Sequence, residues 1–297
     1  MRERTPFPAE LLKRLPNLKL LLSSGFRNAA INMDTCRELS IPVTGSTRHS
    51  PEEKAASGPD STTQHCVALI LALVRHIAQD DAAVKAGGGL WQTGYATSLT
   101  GKTLGLVGLG RLGASVAKIM KVAFAMNVIA WSTNLTQERA DEQARDAGLA
   151  AEDSEGNKTF KAVSREELFK TADVISVHLV LSDRSRGLIN KQDFSLMKPT
   201  SFFVNSSRGP LVVEKDLLET LQGGKIGGAA LDVFNVEPLP ADSEWRNPNW
   251  GKDGSSKVLL TPHMGYVSKE SLSGWYKIQA DNLERWARGD ELTYLLT

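Results

Sequence analysis

The sequence predicts an α/β protein built on a doubly wound parallel sheet, with a second, smaller α/β domain. Three observations carry that expectation. From residue 100 onward, short β-leaning runs alternate with stretches of helical periodicity. Glycine is concentrated in the same part, since only Gly25, Gly45 and Gly58 precede residue 87 and the other 22 follow. Tight strand-to-helix turns draw on glycine for backbone conformations other residues avoid. Finally, 297 residues with 41% hydrophobic side chains are too many for one comfortable core.

The β-leaning runs cover 103–107, 127–131, 174–177, 202–204, 229–231 and 258–260. Between them, 112–124 carries apolar residues at helical spacing, and Ser164 with Glu167 has the pattern of a capping box. A further helix over 211–221 stops at Gly223-Gly224. The polar stretch 152–161 reads as a surface loop, and Gly87-Gly88-Gly89 as a hinge or loop. Strands with helical crossovers in this order build a parallel sheet. Before residue 100, strands are expected over 18–23 and 41–44, a short helix over 33–39, and a strongly apolar helix over 62–77. After the last strand, 269–287 reads as one long amphipathic helix. Both chain ends then meet in the smaller domain, 1–61 with 266–297, and 62–265 forms the larger one.

Composition narrows the function classes. Thirty-five basic against 34 acidic residues leave a net charge of +1 with no basic stripe, which speaks against nucleic acid. The longest apolar run, 66–74, is far too short to span a bilayer. The opening Met1-Arg2-Glu3-Arg4-Thr5-Pro6 has no signal-peptide core. Cys36 and Cys66 make neither a disulfide framework nor a metal spacing, and no histidine or cysteine cluster has ligand spacing. The expectation is a cytoplasmic protein without a metal site.

Gly108-Leu109-Gly110-Arg111-Leu112-Gly113 is G-x-G-x-x-G, weak alone but here placed between a strand and a helix. In that context one glycine permits the turn, one lets backbone approach a pyrophosphate, and one lets helix and strand pack closely. The anion would rest on the helix N-terminus. The end of the next strand should carry an acidic residue for the ribose 2′-hydroxyl, but Ser132 stands there, nineteen residues after Gly113. Serine does not repel a 2′-phosphate, so NADP or dual use is favoured over strict NAD. No arginine stands beside Ser132 in the sequence, although Arg111 is in the loop.

Ligands of such sheets sit beyond the carboxyl ends of the strands. Arg208, Glu237 and His263 follow three consecutive predicted strands at short offsets. Arginine can grip a carboxylate bidentately and polarise the adjacent carbonyl. Histidine can exchange a proton with the developing alkoxide, and a glutamate beside it orients the ring and favours its charged form. Together they suit hydride transfer to or from a 2-oxo or 2-hydroxy acid.

Several motifs in order resemble the D-isomer-specific 2-hydroxyacid dehydrogenase family. They are Leu99-Thr100-Gly101-Lys102-Thr103-Leu104-Gly105 leading into the glycine loop, Ala172-Asp173-Val174 through His178, and Asn205-Ser206-Ser207-Arg208-Gly209. Ala229-Ala230-Leu231-Asp232-Val233-Phe234, Glu237-Pro238 and Thr261-Pro262-His263 complete the set. The resemblance implies a Rossmann cofactor domain and a flavodoxin-like substrate domain, with Arg208, Glu237 and His263 catalytic. It implies that Asp232 meets the nicotinamide carboxamide. Gly108, Gly110, Arg111, Leu112, Gly113, Ser132, His178, Ser206 and Gly265 are expected to line the cofactor. Ser24, Gly25 and Phe26 join Arg208 and His263 around the substrate. His178 is expected beside the cofactor and not as proton donor, and His65 and His76 as structural residues of the apolar helix. The resemblance also implies a homodimer through the cofactor domain, partly through 62–100. Family members begin with further elements of the substrate domain, so that domain is expected to lack its first strand. Gln64 stands where the family often has an acidic residue. The expected activity is that of a glyoxylate or hydroxypyruvate reductase. The alternative is a dinucleotide-binding regulatory or corepressor-like protein without turnover.

Overall fold

The structure, a computed structural model, describes residues 6–25, 30–46, 58–87 and 91–297. They fall into two units, 1–61 with 266–297 and 62–265. In the first, α1 (Ala9–Lys13) precedes β1 (Leu21–Leu22), and α2 (Met33–Glu38) precedes β2 (Val43–Thr44). The two strands pair in parallel, and Leu12, Leu21, Ile31, Cys36, Ile41 and Val43 make the core. Both strands are shorter than expected, for local reasons. Leu18 is used in a turn, its N–H bonded to Leu15 O. Pro42 has only a carbonyl to offer, to Leu21 N, and Ile41 N is bonded to Cys36 O.

The larger unit begins within α3 (Ser61–Val74), which is followed by α4 (Ile77–Ala86). One helix was expected over 62–77. His76 interrupts it with a φ of 58°, a left-handed conformation that a right-handed helix cannot continue through. Next come β3 (Thr103–Val107), α5 (Arg111–Phe124), β4 (Asn127–Trp131), α6 (Gln137–Asp146), β5 (Lys161–Ala162), α7 (Arg165–Thr171) and β6 (Val174–Val177). They are followed by α8 (Lys191–Leu196), β7 (Phe202–Asn205), α9 (Glu214–Gln222), β8 (Gly228–Leu231) and β9 (Lys257–Leu260). Ser164 caps α7 by accepting Glu167 N at 3.1 Å, which is one half of the expected box. The helix expected over 211–221 starts only at Glu214, after a 3₁₀ turn over Gly209–Leu211 that contains Pro210.

The sheet is parallel throughout, in the order β5-β4-β3-β6-β7-β8-β9. β5 was not foreseen, because two residues at the edge of a polar loop show no apolar run. Alternate residues of the central strands enter two cores. Leu104, Leu106, Val128 and Val204 face α3 and α5 residues such as Ile70 and Val116. Val107, Ile175, Phe203 and Leu231 pack with Leu168, Phe169 and Leu217 from α7 and α9. Burial of both faces explains why these strands read as near-continuous apolar runs. Each fully buried large side chain contributes roughly 1.5–3 kcal/mol.

The register decides where function can sit. Val107 pairs with Trp131 and Val177, Val177 with Asn205, Asn205 with Leu231, and Leu231 with Leu260. Gly108, Ser132, His178, Ser206, Asp232 and Thr261, the residues that follow, therefore emerge along one sheet edge at the spacing of adjacent strands. The chain then returns to the first unit with α10 (Lys269–Arg288), capped by Ser268 and ended by Gly289 at φ 79°. Gln279 on α10 accepts Thr44 Oγ1 and donates to Gly45 O, tying the helix to β2. No helix among the described residues is long and apolar enough to cross a membrane.

Candidate active site

The turn between β3 and α5 is shaped by its glycines. Gly108 has a φ of 105°, and a Cβ on Gly113 would lie 2.3 Å from Gly108 O, so neither tolerates a side chain. A Cβ on Gly110 would meet nothing within 4 Å. Gly110 therefore borders open space, and it is the N-cap of α5 without a side chain of its own to cap the helix. The first amides of a helix have no intrahelical acceptor, which makes this an anion seat. The open space is a cavity of about 830 Å³, lined by Gly108, Gly110, Arg111, Ser132 and His178 among others. Those dimensions and that cradle fit a dinucleotide. Leu112 and Ser206 line a separate cavity of about 20 Å³ with Cys66 and His178.

Ser132 lies half-buried at the mouth of β4. The neighbouring groove wall holds a residue that the sequence reading missed. Arg139, on the first turn of α6, lines the same cavity, and its Nη1 donates to Asn134 O at 3.0 Å. Lys118 of α5 lines it too, as do Glu142 and Asp146, which share α6 with Arg139. Its seven-residue separation from Ser132 hid Arg139. The helical turn closes that gap.

At the other end of the edge, Glu237 accepts Phe234 N through Oε1 at 2.9 Å, while its Oε2 meets His263 Nδ1 at 2.7 Å. Both side chains are largely buried, at 15% and 10% exposure. A hydrogen bond of this length between a carboxylate and an imidazole fixes Nδ1 as the protonated nitrogen. His263 carries a φ of 58°, which costs a non-glycine residue about 1–2 kcal/mol. Bonds from Asp232 hold the chain on both sides of it. Its Oδ1 accepts Thr261 Oγ1 at 2.6 Å and Met264 N at 2.7 Å, and its Oδ2 accepts Gly265 N at 2.9 Å. Burial would raise the Asp232 carboxyl, yet bonds from His65, Thr261, Met264 and Gly265 hold it below the usual carboxylate range. Arg208 follows β7 on an exposed turn, with Nη1 donating to Ser207 O at 2.8 Å.

The other histidines separate by environment. His178 bonds Ser176 Oγ through Nε2 at 2.9 Å, and desolvation lowers its pKa to about 4. It is neutral at neutral pH and unsuited to delivering a proton there. His76 is buried against Lys257 Nζ, and burial with that cation lowers its pKa. His65 does more than pack: Nε2 lies 3.2 Å from Asp232 Oδ1 and 3.1 Å from Thr261 Oγ1. Ser24 and Gly25 belong to the other unit, where Ser24 O accepts Ser46 Oγ and Gly25 O accepts Ser46 N. Phe26 lies outside the described residues.

Comparison with known proteins places these features in context. Residues 67–265 match the family described as D-isomer specific 2-hydroxyacid dehydrogenase, NAD binding domain. The chain is 29% identical to a hydroxypyruvate reductase of Blautia hydrogenotrophica, over 96% of this chain and 81% of that protein. It is 33% identical to a glyoxylate reductase of Aeropyrum pernix, over 94% and 76%. Among solved structures, the phosphoglycerate oxidoreductase of Vibrio cholerae O395 superposes with a TM-score of 0.79 at 32% identity, over 97% of this chain and 82% of that one. The chain spans about half the length of the D-3-phosphoglycerate dehydrogenases of Bacillus subtilis and Archaeoglobus fulgidus, which it also matches.

Proposed function

Because the chain belongs to the D-isomer-specific 2-hydroxyacid dehydrogenase family, its reaction is hydride transfer between a nicotinamide cofactor and a 2-hydroxy or 2-oxo acid, and we propose that it serves as a reductase of small 2-oxo acids with His263 as proton donor. The observation that carries this reading is the 2.7 Å bond from His263 to Glu237, at the same sheet edge as the dinucleotide cradle. With Nδ1 engaged by Glu237, the ring is oriented to exchange its proton through Nε2. Arg208 supplies the planar fork that holds the substrate carboxylate and polarises its carbonyl. Gly110 and the amides of α5 receive the pyrophosphate, and Asp232 receives the carboxamide. When bound, the nicotinamide supplies the hydride. Glyoxylate and hydroxypyruvate are the favoured substrates, on the strength of the relatives that bear those names.

NADPH is the favoured reductant. Two features support it: Ser132 in place of a carboxylate, and Arg139 in the wall of the same groove. A homodimer is favoured because Ile77, Val84, Trp91 and Tyr95 expose 58%, 52%, 78% and 100% of their surface within one segment. A monomer leaves so much apolar area wet at a cost that pairing removes. The deciding assay mixes the purified protein with NADPH or NADH and a panel of 2-oxo acids, and follows the nicotinamide absorbance. Cofactor binding without turnover of any acid would return the regulatory reading. Sedimentation of the parent and a Tyr95→Asp variant tests the dimer, which the variant should dissociate.

A further inference from the structure

His65 sits on α3, an apolar helix, where the ordinary expectation is a packing role. Its surroundings point elsewhere. Asp232 and Thr261 directly follow β8 and β9, whose last residues Leu231 and Leu260 are register partners. Thr261 N donates to Leu231 O at 2.9 Å, and His263 N donates to Thr261 O at 3.0 Å. Asp232 holds the far side of the same loop through Met264 N and Gly265 N. The backbone that presents His263 thus hangs from two side chains, Asp232 and Thr261. His65 Nε2 lies within hydrogen-bond distance of both.

The proton positions follow from donor and acceptor chemistry. At 2.6 Å, the Thr261 hydroxyl proton is committed to Asp232 Oδ1. Toward His65, both the hydroxyl oxygen and the carboxylate are then acceptors, so only a protonated Nε2 satisfies them. One N–H shared between the two oxygens draws the ends of β8 and β9 together. It also keeps the Thr261 hydroxyl turned toward Asp232.

We propose that His65 is a positioning residue of the reaction, whose Nε2–H clasps Asp232 and Thr261 and so holds the loop carrying His263. The proposal rests on the reading of His263 as proton donor. A general acid displaced by a fraction of an ångström loses rate steeply, while substrate binding to Arg208 is little affected.

Steady-state kinetics with glyoxylate varied at saturating NADPH, with thermal melts alongside, supply the test. His65→Ala should lower kcat about ten-fold, the scale of one lost bond to a charged group, with the glyoxylate KM changed by less than about three-fold. His65→Gln, whose amide can donate from nearly the same place, should restore most of the rate. Thr261→Val should lower kcat similarly. The double variant His65→Ala with Thr261→Val should be no slower than the slower single variant, because both remove one shared network. A packing role alone would lower the melting temperature and leave kcat per folded molecule unchanged. A kcat for His65→Ala within about two-fold of the parent overturns the proposal, as does a His65→Gln variant as slow as His65→Ala. If His65→Ala fails to fold, Thr261→Val decides by the same criterion. His263→Ala separates the two ideas. If it keeps turnover, the proton-donor reading falls and this proposal with it. An inactive His263→Ala beside a fully active His65→Ala overturns only the clasp.

Discussion

Glu237 and His263, 26 residues apart and on loops after different strands, share a 2.7 Å hydrogen bond, while the second Glu237 oxygen is fixed by Phe234 N. The carboxylate is thereby anchored to its own loop and aimed at the histidine of the next one. An oriented base of this kind is the structural requirement for proton transfer coupled to hydride transfer.

His263→Ala should reduce kcat by about 10²–10⁴-fold, the range for loss of a general acid, with dinucleotide affinity nearly unchanged. Glu237→Gln should fall between that variant and the parent, because the amide keeps a contact and loses the charge. Turnover assays paired with fluorescence titration of NADPH measure both. Full activity in His263→Ala would falsify the assignment of the donor.

Cofactor choice should follow the groove between α5 and α6. Ser132→Asp places a carboxylate where a 2′-phosphate would lie, and should shift the kcat/KM ratio toward NADH. Arg139→Ala should weaken NADPH and leave NADH nearly untouched. The reading of this groove fails if 2′,5′-ADP binds the parent no better than ADP in calorimetry.

Gly113→Ala introduces a Cβ 2.3 Å from Gly108 O, against backbone that cannot step aside. A clash of this kind should cost about 1–3 kcal/mol of stability and weaken dinucleotide binding, since the same turn forms the cradle. Urea melts and cofactor titrations of the variant check both effects. Gly110→Ala adds its methyl to open space, so binding should suffer there without the loss of stability.

His178 makes stability depend on pH. Its folded pKa is near 4 against an ordinary 6.5, because burial disfavours the charged ring. Between those values the unfolded chain binds the proton and the folded one does not, so stability falls as pH falls. The contribution is complete above pH 6.5 and declines toward pH 4, by roughly 3 kcal/mol at most. Denaturant melts of the parent and His178→Gln across that window should show a shallower acid decline in the variant. Equal slopes would show that the ring titrates normally.

Much of this was legible before any coordinates. Strands such as 103–107 and 174–177 announce themselves because a parallel sheet covered on both faces needs apolar residues at every position. The glycine loop was legible because its residues act through backbone conformation, which is local. What stayed hidden was local in another way. Leu18 is consumed by a turn, and β5 is too short for any period. His76 breaks a helix that its neighbours would have continued.

By itself the sequence determined the fold class, and it offered the glycine turn as a candidate cradle and Arg208, Glu237 and His263 as candidates, each lying just after a strand. Tertiary structure alone decided which groups meet. It aimed Glu237 at His263, brought Arg139 into the groove lined by Ser132, and set His65 against Asp232 and Thr261. The physical reason is range. Burial patterns and backbone turns are written over a few neighbouring residues, whereas a hydrogen bond between side chains 167 positions apart, His65 to Asp232, exists only after the sheet has aligned its strand ends.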